Sequence, residues 1–166
     1  MNKDFFAHES SYIDENVEIG EGTKIWHFSH IQSGAAIGTN CSIGQNVNIG
    51  NNVIISISVN IAGHVEVDDY AIIGGCTPIH QFCKVGKHAF IGGGRVILQD
   101  VPPYILATGE PLQYAGINSI GLRRRNFDLK TRNLIKRTYK LLYLSNWNTS
   151  QALIKIKKEI ELTDEV

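Results

Sequence analysis

Fifteen positions spaced six residues apart, from Ile13 through Ile37, Ile55 and Ile73 to Ile97, all hold isoleucine or valine. The register never slips, so no loop interrupts residues 13–97. A second column lies two residues earlier, from Val17 to Ala89, and every member is small or β-branched. Glycine often follows the aliphatic column, as at Gly20, Gly38, Gly44, Gly74 and Gly92. Short strands favour β-branched side chains that fit a pleated surface. A narrow prism needs a large aliphatic group on each flat and a small one near each corner, with glycine, asparagine and aspartate supplying permissive backbone at the corners. Three hexads make one triangular turn, so fifteen make about five coils of a parallel β-helix. Each coil bonds to the one above and below, so only the ends expose strand edges.

The repeat ends near residue 98. Asp100-Val101-Pro102-Pro103-Tyr104 interrupts regular structure, because proline donates no ladder bond. The expected organisation is a β-helix over residues 1–98, an extended connecting arm over 99–122 and a helical segment over 123–166. Helical patterning covers residues 128–145. Asn148 with Gln151 three residues on suits a capped start for a second helix, whose apolar face is Leu153, Ile156 and Ile160. An αα-hairpin follows.

Charge divides along the same boundary. Residues 1–119 hold 5 Lys+Arg and 11 Asp+Glu, and residues 120–166 hold 11 Lys+Arg and 5 Asp+Glu, in a chain of zero formal net charge. A solvated helix face accounts for the basic residues as readily as an anion site for nucleotide phosphates or an acidic carrier protein. Arg123-Arg124-Arg125 is the densest part. Few cations and no interleaved aromatics argue against nucleic acid. No apolar run reaches 18 residues, which argues against a membrane span. The first residues lack the zones of a secretory signal, and three cysteines, Cys41, Cys76 and Cys83, read as free thiols of a reducing cytoplasm. No His/Cys/Asp group has metal-ligand spacing, so no metal is expected, and a carbonic-anhydrase-like zinc enzyme on this fold is the weakest option.

Residues 56–125 resemble the UDP-N-acetylglucosamine acyltransferases that begin lipid A synthesis. The matching runs are Ala62-Gly63-His64-Val65-Glu66-Val67, Ile79-His80-Gln81-Phe82-Cys83, Gln99-Asp100-Val101-Pro102-Pro103-Tyr104 and Gly121-Leu122-Arg123-Arg124-Arg125. The helical tail 126–166 is compatible with the same family. Residues 8–53 instead resemble N-acetyltransferases acting on UDP-linked amino sugars, through Ile25-Trp26-His27-Phe28-Ser29-His30 and Cys41-Ser42-Ile43-Gly44-Gln45. The split reads as a recombined or engineered chimera, or as a naturally short relative.

The resemblance implies a left-handed helical turn. It also implies roles: the Gly63 N–H as an oxyanion-hole donor, His64 as catalytic support from the neighbouring subunit, His80 and Gln81 lining the acyl-donor groove, and Asn118 and Arg124 holding UDP phosphates. Each has a plain structural reading too, Gly63 as a corner glycine and the histidines as interface groups. The family's catalytic histidine falls on Gln45, and Asn46 replaces the aspartate that follows it. Glutamine takes no proton near neutral pH. The apolar Ile120 replaces a nucleotide-binding position.

Exposed Trp26, Phe28, Phe82 and Phe90 on a flat face imply a homotrimer with helices parallel to its axis. The expected function is acyl transfer from acyl carrier protein or acyl-CoA to a UDP-amino sugar, with no tightly bound cofactor. The alternative is a catalytically inert trimeric scaffold.

Overall fold

The computed structural model describes residues 4–166, which divide into two compact units between Ala115 and Gly116. In the first unit, fifteen two-residue strands run from β1 (Phe6–Ala7) to β15 (Phe90–Ile91) at six-residue spacing. Each of the first twelve pairs in parallel with the strand three further on. Ile37 therefore sits against Ile55, and Ile55 against Ile73, with all three buried. Three sheets result, two of five strands and one of seven. The aliphatic column points inward and the residue before it points outward, as in Lys24–Ile25 and Asn60–Ile61. From Thr23 to Ala89 the second column is buried too. Thr23 and Ser29 are satisfied by the next coil, Thr23 Oγ1 donating to the Gly38 carbonyl at 2.8 Å and Ser29 Oγ to that of Gly44 at 2.7 Å, whereas Thr77 Oγ1 donates within its own coil to the Gly75 carbonyl at 3.4 Å.

The stack is longer than the isoleucine column indicates. Ala7 pairs with Ile25 below the first expected hexad, and beyond Ile91 the ladder continues through Ile97, Val101 and Ala107. The solenoid makes about six turns rather than five. Residues 99–122, expected as an extended arm, contain β16 (Ile105–Thr108), β17 (Gln113–Ile117) and the start of a short helix, α1 (Ser119–Arg124). Two prolines do interrupt the hexads, but β16 still finds an open parallel edge on β15.

The corners bear out part of the sequence expectation, since Asn16, Asn40, Asn46, Asn52, Gly22, Gly34 and Gly94 take left-handed backbone there. The glycines that follow the aliphatic column do not take left-handed backbone; the residue at the corner itself does. Phe28, Asn46, His64, Tyr70, Phe82 and His88 all have φ between 53° and 66°. Such conformations cost non-glycine residues about 1–3 kcal/mol each and persist where the surroundings hold them. Here the ladder does so, since the His64 N–H donates to the Gln45 carbonyl at 2.9 Å and the Phe82 N–H to that of Gly63 at 3.2 Å. The glycines answer to close vertical approach instead. A Cβ on Gly44 would lie 2.7 Å from the Ala62 carbonyl carbon and 2.8 Å from the Gly63 nitrogen. Gly44→Ala is therefore expected to cost about 1–3 kcal/mol through overpacking, read as a lower urea midpoint with unchanged slope. An unaffected midpoint would contradict the close stacking.

The second unit contains α1, α2 (Leu129–Tyr143) and α3 (Thr149–Glu159). Asp128 caps α2, its side chain accepting from the Thr131 N–H, which holds its carboxyl below the usual carboxylate range. Asn148 and Gln151 form the expected capping box on α3. Leu134, Ile156 and Ile160 cluster, with Leu141 and Leu142 against them. Leu153 is 46% exposed, and Ala152 takes the buried place expected of it, because Ala152, Ile156 and Ile160 share the inward face at four-residue spacing. No helix among the described residues is long and apolar enough to cross a membrane.

Candidate acyl-transfer site

The turn leaving β7 (Ser42–Ile43), β10 (Asn60–Ile61) and β13 (Pro78–Ile79) brings four of the six expected site residues onto one edge of the prism. Gly63 and His64 occupy the middle corner, with His80, Gln81 and Phe82 on the coil above and Gln45 and Asn46 on the coil below. His64 is the centre of this edge. Its Nε2 lies 3.2 Å from Asn46 Nδ2, and its ring stacks on Phe82 with centroids 5.0 Å apart. The left-handed backbone of His64 turns the exposed imidazole along the edge rather than into the core.

The contact with Asn46 bears on protonation. With the amide nitrogen donating to Nε2, the ring proton resides on Nδ1. With the amide reversed, Oδ1 accepts from Nε2–H and leaves Nδ1 free to take a proton. Asn46 thus orients the ring, as a carboxylate would, but without adding charge.

Gly63 is half-buried, and among the described residues its N–H donates to no backbone carbonyl. The same is true of His27, Gln45 and Gln81, so a free N–H is a property of this corner geometry. What distinguishes Gly63 is access, since it adds no side chain of its own, and beyond Gln45 nothing stands near its missing Cβ. His80 is exposed, with Nδ1 3.1 Å from the Gln81 carbonyl oxygen, which accepts when that nitrogen carries the proton. Gln81 is exposed beside it. Cys83 offers no nucleophile here. It points inward, and burial followed by the Asp100 charge pushes its thiol upward, away from the reactive thiolate.

The two remaining residues lie in the second unit. The Asn118 side chain is buried and caps α1, accepting from the Gly121 N–H at 3.0 Å, so its oxygen already has a structural task. Arg124 is exposed in the last turn of α1 and makes no ion pair with a described residue. No group of three or more His, Cys, Asp or Glu that could hold a metal occurs among the described residues.

One outer-face histidine makes an ion pair that the sequence reading did not anticipate. His30 Nε2 lies 2.7 Å from Asp14 Oδ1. The two are 16 residues apart, a separation that places them on adjacent coils once the 18-residue turn is known, so the signal was present.

Known proteins match this chain in segments of its sequence and in its fold. Residues 16–50 match the bacterial transferase hexapeptide family (six repeats), and residues 100–166 match domain 2 of the UDP-N-acetylglucosamine O-acyltransferases. The acyl-[acyl-carrier-protein]–UDP-N-acetylglucosamine O-acyltransferase of Aliivibrio fischeri is 46% identical over 104 residues, covering 63% of this chain. That of Thiobacillus denitrificans is 42% identical over 102 residues. The chain spans 40% of the length of each of these relatives. Among solved structures, the UDP-N-acetylglucosamine acyltransferase of Bacteroides fragilis superposes with a TM-score of 0.65 at 27% identity, covering 99% of this chain and 93% of that one. The Francisella novicida enzyme gives 0.60 at 28% identity, covering 93% of this chain and 83% of that one. The chain is a hexapeptide-repeat β-helix that resembles the UDP-N-acetylglucosamine O-acyltransferases in both its sequence and its fold.

Proposed function

We propose that this chain transfers an acyl group from a thioester, acyl carrier protein or acyl-CoA, to a UDP-amino sugar of the UDP-N-acetylglucosamine kind. The observation that carries the reading is the corner stack of Asn46, His64 and Phe82 beside the free Gly63 N–H. The thioester carbonyl oxygen would accept from Gly63, which stabilises the oxyanion as the acceptor attacks. His64 would take the proton from the attacking hydroxyl as the new C–O bond forms. The C–S bond then breaks, and the imidazolium returns that proton to the departing thiolate. His80 and Gln81 border the path of the acyl donor, while Asn118 and Arg124 hold the UDP phosphates, Arg124 by charge.

Relatives named as acyltransferases give the inert-scaffold and hybrid alternatives no support. A homotrimer completes the proposal. Phe28 and Phe82 are 66% and 62% exposed on the same edge as His64, a cost that a neighbouring subunit would remove. Three unpaired cysteines suit a reducing cytoplasm as the compartment.

The test is direct. The purified chain is incubated with UDP-N-acetylglucosamine and 3-hydroxyacyl carrier protein, and the acylated sugar nucleotide is measured. Turnover above the spontaneous rate is expected, and none at any protein concentration would overturn the reading.

A further inference from the structure

We infer that His30 and Asp14 form a second proton-transfer site, about two coils below the level of His64, for acylating a polar acceptor such as an amino sugar. Each of the six histidines makes a different contact. The His8 and His27 rings lie tilted against one another with centroids 3.7 Å apart, and His8 Nδ1 bonds Ser10 Oγ. His64 meets an amide, His80 meets a carbonyl oxygen, and His88 stacks between Tyr70 and Tyr104. His30 Nε2 meets a carboxylate, Asp14 Oδ1, at 2.7 Å. A carboxylate at Nε2 fixes the tautomer, orients the ring and stabilises the imidazolium that forms when the other nitrogen takes a proton. That other nitrogen, Nδ1, hydrogen-bonds no described residue.

The surroundings suit a ligand. His30 lies on β5 (His30–Ile31), stacked in register on Tyr12 of β2 (Tyr12–Ile13), and the Tyr12 ring stands edge-on to the imidazole at 5.3 Å. Tyr12 is 68% exposed and offers an apolar wall. From Gln32 on the same coil to Asn48, Asn51 and Asp69 on the coils above, a chain of polar side chains continues from His30. Gln32 Nε2 donates to Asn48 Oδ1 at 3.1 Å, Asn51 Nδ2 donates to Gln32 Oε1 at 3.0 Å, and Asn51 also donates to Asp69. Amides with donors and acceptors to spare match a polyhydroxylated molecule. As a stabilising contact the pair earns little, because an exposed ion pair contributes only about 0–1 kcal/mol. Two coils, roughly 10 Å at the spacing of paired strands, separate the levels of His30 and His64, so one reacting atom cannot serve both.

The step balances with a thioester as co-reactant. The acceptor's amine or hydroxyl attacks the thioester carbon and its proton passes to His30 Nδ1. The C–S bond breaks, and the imidazolium gives that proton to the thiolate, leaving an amide or ester and a free thiol.

The probe is acetyl-CoA with UDP-glucosamine, followed by thiol release. These substrates differ from those that test the corner site, so each reading stands or falls separately. Wild-type chain is expected to turn over. His30→Gln is expected to lower kcat at least 100-fold with KM within threefold, and Asp14→Asn to lower it about tenfold, since the ring remains but loses its partner. A merely structural contact would move the unfolding midpoint and leave that kcat and KM split unseen. Absence of turnover in the wild type, or equal kcat in wild type and His30→Gln, would overturn the inference.

Discussion

Replacing Ile55 with alanine is expected to lower the unfolding free energy by about 2–5 kcal/mol, toward the upper part of that range. Ile55 is fully enclosed, with Ile37 below it and Ile73 above. Leu→Ala costs vary with how far neighbours collapse into the space left behind. In a three-sided coil little can collapse. The backbone is fixed by parallel bonds on both sides, as where the Gly38 N–H donates to the Ile55 carbonyl and the Ser56 N–H to that of Ile73. Stability in a stack is also shared between neighbours, so the loss spreads to the coils that Ile55 touches. The measurement is equilibrium urea unfolding at constant slope. Lys24→Ala serves as the comparison. Lys24 faces outward beside the buried Ile25, and its truncation should stay within about 0.5 kcal/mol. Equal costs for the two substitutions would mean that the inward column does not hold the solenoid together.

The second large effect is on chemistry. His64→Gln is expected to reduce turnover of acyl carrier protein substrate by 10²–10⁴-fold, the usual contribution of a positioned acid–base group. Glutamine retains a polar contact to Asn46 and tolerates much the same space, so the unfolding midpoint should move little. The result would separate proton transfer from the structural value of the corner. A drop of less than fivefold would remove His64 from the mechanism and leave Gly63 as the only group acting at the reacting carbonyl. Gln45 bears on the size of the effect. It sits on the coil below, its Cγ 3.4 Å from where a Gly63 Cβ would be, and it cannot act as a base in place of His64.

Particular residues show which features a reader of the chain can extract. The isoleucine column was sufficient for the solenoid, because only a repeating coil places Ile37, Ile55 and Ile73 in identical surroundings. The capping box at Asn148 and Gln151 was equally readable, since both partners lie within four residues. Gly63, His64, His80 and Gln81 fell on one edge as the 18-residue spacing requires. By contrast, the inward face of α3 was misjudged by one position. Leu153 is the more apolar choice, but which of Ala152 and Leu153 turns inward depends on how α3 lies against α2.

The periodicity of the chain was enough to specify stacked coils, their period, their inward side chains and the vertical columns that run along each edge, because those follow from short-range geometry repeated without interruption. The rest came from contact between coils. Left-handed backbone at His64 and Phe82, the amide of Asn46 against an imidazole, the glycines pressed under the next turn and the pairing of Asp14 with His30 all require one coil to lie on another at strand spacing. No local propensity encodes them, since phenylalanine and histidine avoid positive φ unless a ladder bond from the neighbouring coil compensates.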